Sequence, residues 1–141
     1  MTLRVLIAVL ASVAAGPALS AQGGAGRVRP PEAVTCPRND LTLYAGRVTA
    51  LEREKGSTSL TISTDWKTTE RVTIRHPEVA DPDAWFLMQG KPFVEAEWET
   101  VAPKGKLRDD IRAHAWVCRD GRHPIIDWQP AARNDSGSRF R

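Results

Sequence analysis

Three groups of residues in this chain are of types that do chemistry: the histidines His76, His114 and His123, the alternating glutamates Glu95, Glu97 and Glu99, and a polar hairpin with a tryptophan at its turn. Same-face carboxylates on a strand stand about 6.5–7 Å apart, a spacing that could seat the two carboxyl groups of a glycoside hydrolase. A general acid, however, needs burial to raise its pKa, and alternation on one solvated strand gives all three glutamates the same exposed setting. Cross-strand pairing with Arg112, Arg47 or Arg53 is the simpler use for them. His76 and His123 each precede a proline, Pro77 and Pro124, and so read as loop residues rather than ligands. Beyond Met1 the chain has a single methionine, Met88, too little thioether for a soft-metal site. With no Ser-His-Asp set, nucleophile elbow or phosphate loop, the expectation is a protein that is not an enzyme and holds no metal or cofactor.

The hairpin is the stretch STSLTISTDWKTTERVTIRH, residues 57–76. Leu60, Ile62, Val72 and Ile74 alternate with Ser59, Thr61, Ser63, Arg71, Thr73 and Arg75, so one face is apolar and the other carries hydrogen-bonding groups. Trp66 sits at the tip. An aromatic ring that can stack, beside oriented Arg and Thr donors, suits a small ligand, a glycan or a peptide. Ser and Thr are also what a solvated strand ordinarily carries, and a tip tryptophan can fold down over the end of a sheet.

The elements around this hairpin begin with a targeting signal. Arg4, an apolar run from Val5 to Ala15, Gly16-Pro17 and the small residues Ala18, Ser20 and Ala21 form the layout of a secretory signal peptide over 1–21, cleaved after Ser20 or Ala21. The apolar run is shorter than the ~20 residues a spanning helix needs, so no membrane span is expected after cleavage and the mature protein is expected to be periplasmic or secreted. In an oxidising compartment the two cysteines, Cys36 and Cys118, are expected to form a structural disulfide closing most of the domain. Residues 22–33 read as a flexible leader, 34–130 as one folded domain, and 131–141 as a disordered basic tail. The sequence pI is 9.2, but residues 34–130 hold 14 Lys and Arg against 15 Asp and Glu, a balance of −1. The excess lies in the tails, so no nucleic-acid partner is expected.

Strand patterns run over 41–54, 57–64, 70–76, 93–101 and 110–120. Leu41 and Leu43 share one phase and Val48 and Ala50 another, which predicts a bulge or sharp coil at Gly46. Asp81, Pro82 and Gly90 bracket a predicted short helix over 82–89. On 93–101, Val94, Ala96 and Trp98 alternate with the glutamates. On 110–120, Ile111, Ala113, Ala115 and Val117 oppose Arg112, His114, Trp116 and Cys118. The expected class is all-β.

This order resembles the OB-fold, a five-stranded antiparallel barrel with one short helix between strands 3 and 4, over about residues 36–128. The resemblance implies a ligand surface on the face of strands 2 and 3. Here that means Trp66, Arg71, Thr73 and Arg75, with His76 at the margin. Copper- and silver-binding periplasmic OB-fold proteins use His and a Met pair beside Trp, a pattern this chain lacks. The function expected is a non-catalytic binding module. The rival is a structural or assembly component of a cell-envelope protein complex, with contacts through Trp116, Trp128 and the basic tails. Trp85 and Trp98 are expected to be packing residues.

Overall fold

A computed structural model describes residues 28–78 and 81–131. The expected signal peptide, most of the expected leader and the expected tail from 132 onward lie outside the described residues. The chain is all-β in class. Among the described residues the strands are β1 (Leu41–Glu54), β2 (Ser57–Thr64), β3 (Thr69–Arg75), β4 (Phe86–Met88), β5 (Lys91–Pro92), β6 (Arg112–Cys118) and β7 (Ile125–Gln129). They form one sheet in the order β3-β2-β1-β6-β7-β4-β5, which is not closed. The sheet has seven strands where five were expected.

The long β1 organises the sheet. Its second half pairs with β2 and its first half with β6, both antiparallel. Gly46 lies where the two pairings overlap, opposite both Thr64 and Ala113, and a Cβ there would stand 2.1 Å from the Ser63 carbonyl oxygen. Glycine is needed for this close approach and not for a bulge. The register shift falls instead between Val48 and Ala50. It turns Ala50 outward and brings Leu51 to the inner face opposite Leu60. Leu41 and Leu43 stay on the outer face throughout, where they cover a second cluster.

Two predicted elements exchange character. Residues 82–89 hold only a 3₁₀ turn at Pro82–Ala84 before β4, which pairs parallel with β7. Strand pairing wins there because Phe86 and Leu87 bury on opposite faces of the sheet, as only a strand allows. Conversely, residues 95–101 are helical: a 3₁₀ turn at Glu95–Glu97 runs into α1 (Trp98–Val101). Trp98, Val101 and Ala102 are buried at helical spacing, while Val94 and Ala96 are exposed. The Glu97 side chain accepts the Val94 N–H at 2.8 Å and ties the first turn.

The main core lies under the inner face. Leu60, Ile62, Val72, Ile74, Ala113, Ala115 and Ile126 form its floor, and Phe86, Phe93, Trp98 and Trp128 form an aromatic group. The ring centroids of Phe93 and Trp98 are 4.9 Å apart, and those of Phe86 and Trp98 are 5.1 Å apart, both near edge-to-face. Each such pair contributes roughly 0.5–1.5 kcal/mol beyond its buried area. On the outer face Leu87, Trp116 and Ile125 are buried, with Val34, Leu41 and Leu43 packed on them. The Cys36–Cys118 disulfide, with Cα atoms 6.0 Å apart, pins the segment before β1 to the end of β6. Trp116 is 3% exposed and Trp128 0%, so neither presents a contact surface.

Candidate functional site

The expected binding residues do not form one site. Arg71, Thr73 and Arg75 do line the outer face of β3. Two of them have partners: Arg71 pairs with Glu52 of β1, and the Thr73 and Ser59 hydroxyls share a hydrogen bond across the β2–β3 pairing. Trp66 is 81% exposed at the tip. The tip's backbone is fixed beneath it by Thr64 and Thr68, and Arg112 Nη2 donates to both Asp65 carboxylate oxygens at 2.6 and 2.8 Å. His76 lies at the other end of the hairpin, separated from the tip by the length of β3, roughly 23 Å at ~3.3 Å per residue. It also continues the phase of Val72 and Ile74, and so belongs to the inner face.

At that base end the sequence brings different groups together. Past the β1 shift, Arg53 takes the inner phase opposite Thr58, whose partner on β3 is Ile74. His76 follows by two residues. Gly56, at φ +75° in the β1–β2 turn, offers its carbonyl to the His76 N–H at 3.0 Å. The ring is held at both nitrogens: Nδ1 lies 2.8 Å from the Pro77 carbonyl and Nε2 lies 3.0 Å from the Thr58 hydroxyl. A carbonyl oxygen only accepts, so Nδ1 carries the hydrogen there and Nε2 is free to accept the hydroxyl.

Opposite this row stand Trp85, half-buried, and Trp98. The Trp85 ring is 5.4 Å from that of His76 and 6.0 Å from that of His123, centroid to centroid. The Arg53 guanidinium lies 3.8 Å over the Trp98 ring. Between the two walls is a cleft of about 490 Å³, with Glu54, Lys55, Glu78 and Glu95 also on it. Its chemistry combines indole rings, hydrogen-bonding groups held in place and charges of both signs at an exposed rim.

The glutamates are not a strand ladder. Glu97 is spent on the Val94 N–H and Glu99 accepts the Lys104 N–H, while Arg112 turns to Asp65 and Arg53 to Trp98 in place of these carboxylates. His114 lies on the outer face, opposite Asp127 in the β6–β7 register. Burial pushes its pKa below the usual 6.5, and Arg112 works in the same direction. Asp127, and then Asp65, pull the other way without offsetting the burial.

Counting by twos from Val72 places His76 inward, and the β1 shift places Arg53, so part of this cleft was within reach of the sequence. The Trp85 and Trp98 walls were not, because they depend on the exchanged elements. Comparison with protein-family models, with curated proteins and with solved structures gives no match for this chain.

Proposed function

We propose that this chain is an extracytoplasmic, non-catalytic binding module whose ligand sits in the base cleft, and that the ligand is a neutral saccharide unit of a glycan. One observation carries this: the His76 ring, fixed by Thr58 and Pro77, stands beside the Trp85 indole in an open cleft. A saccharide offers an apolar ring face for the indole and hydroxyls for fixed donors and acceptors. Polar groups held in place before binding lose little entropy on binding. The signal-peptide pattern and the disulfide support an oxidising, extracytoplasmic location. An OB-like ancestry of the sheet belongs to the same proposal, supported by the long β1 shared between two neighbouring pairings.

The test is a panel of neutral oligosaccharides titrated into ¹⁵N-labelled mature protein, with the Trp85 indole N–H and the His76 ring as reporters. A saturable shift at both, weakened tenfold or more by Trp85→Ala and unchanged by Trp66→Ala, is the expected result. Loss through Trp66→Ala alone would return the site to the hairpin face. Saturation by peptides but not saccharides would overturn the ligand class. The assembly-component alternative draws on one observation, the exposed Trp66, since Trp116 and Trp128 are covered by their own fold.

A further inference from the structure

A second surface, on the opposite face of the sheet, carries its own chemistry. The segment from Arg29 to Arg38 crosses the outer face and forms one wall of a groove of about 920 Å³. Its place is secured by the disulfide at Cys36, by the packing of Val34 in the outer cluster and by the Arg122 contact to the Thr35 hydroxyl. Leu41, Leu87, Gly90 and Pro92 line the rest, and Asp127 stands among them.

Asp127 is 6% exposed. Its Oδ1 accepts the Gly90 N–H at 2.9 Å, and Gly90 lines the same groove, which places the carboxylate at the groove wall. Among the described residues it has no ion pair. Its cross-strand neighbour His114 is held toward the neutral form by burial. A carboxylate at a groove wall, with one amide donor and no ion pair, leaves an acceptor for a cation brought to it. Arg29, Glu32 and Arg38 also lie on the groove, but all three are exposed, where ion contacts contribute little.

We propose that this groove binds a lysine side chain of a partner peptide, with the ammonium on Asp127 and the methylene stem along Leu41, Leu87 and Pro92. Charge complementarity selects this occupant. Lysine buries a four-carbon stem against apolar surface while delivering a compact cation to its end. The site is separate from the base cleft, and its occupancy does not depend on what binds there.

The probe is Nα-acetyl-lysine N-methylamide, titrated into ¹⁵N-labelled mature protein with the disulfide intact and compared with the neutral norleucine analogue. The reporter is the Gly90 amide, the donor to Asp127. The lysine amide is expected to give a saturable shift at Gly90 at least tenfold tighter than the norleucine amide. Asp127→Asn should abolish that preference, and Trp85→Ala should leave it intact. Equal shifts from the two amides, or no saturable shift at Gly90, would overturn the proposal. This comparison is made on the unaltered protein and holds whether or not Asp127→Asn folds. An unchanged preference in a folded Asp127→Asn protein would also overturn it.

Discussion

Each end of the β2–β3 hairpin has a tryptophan, Trp66 in its own turn and Trp85 packed on its base from the segment before β4, and the two have opposite roles. At the tip, Trp66 projects into solvent on a backbone fixed by Asp65, Thr64 and Thr68. At the base, Trp85 leans on His76 across an open cleft, and the histidine is fixed by its neighbours. A ligand can touch either ring. Only at the base does it meet a ring together with polar groups already oriented. An exposed aromatic is therefore weaker evidence of a site than a half-buried one with fixed partners.

The largest test of this contrast concerns stability. Trp128 is fully buried beside Phe86 and Trp98, and Trp128→Ala should cost about 3–5 kcal/mol by loss of transfer energy and formation of a cavity. Trp66→Ala should fall within about 0.5 kcal/mol of the parent, as surface changes do. Urea midpoints at constant slope measure both, and a large loss at Trp66 would mean that the tip packs against something.

Next in size is Gly46→Ala. The added Cβ would meet backbone of β2 at 2.1 Å, so the strands must part, and a loss of about 1–3 kcal/mol is expected from overpacking. Gly90→Ala meets nothing within 4 Å and carries only the strain of its φ of +78°, so it should cost less, about 1 kcal/mol. Equal losses would remove the close approach as the reason for Gly46.

Smaller again is Arg53→Ala. The cation over Trp98 is worth about 0.5–1 kcal/mol at an exposed site. That loss should appear in the urea midpoint while the disulfide and the outer face are unaffected.

The smallest expected effect is the pH response of His114. Its folded pKa lies below 6.5 because burial disfavours the imidazolium. The unfolded chain therefore binds the proton first, and stability falls as pH drops below 6.5 toward the folded value. Above that window His114 contributes no pH dependence. Replacing it with Asn should flatten this part of the profile relative to the parent, and an unchanged profile would mean that His114 is not buried in solution.

The boundaries of β1 and β2 and the Cys36–Cys118 disulfide were legible from alternation and compartment logic. What failed, failed for identifiable reasons. In residues 93–101 the alternation of Val94, Ala96 and Trp98 masked a helical spacing of Trp98, Val101 and Ala102. Between Pro82 and Gly90 correct helix-end signals surround a segment that tertiary pairing with β7 claims as strand. β7 itself, IIDWQ, is short and buried on both faces, so alternation is absent from its hydropathy. Within the hairpin, parity alone decides which face a residue joins. His76 follows Arg75 by one residue, and that single step sends their side chains to opposite faces.

The central claim is that the base cleft is organised before any ligand arrives, around a fixed His76 ring. A long-range ¹H–¹⁵N spectrum of the imidazoles in the free protein tests it most directly. The account predicts a single His76 tautomer with hydrogen on Nδ1, set by the Pro77 carbonyl and therefore retained in Thr58→Val. A His76 ring averaging between tautomers in the parent protein, or one with its hydrogen on Nε2, would contradict it.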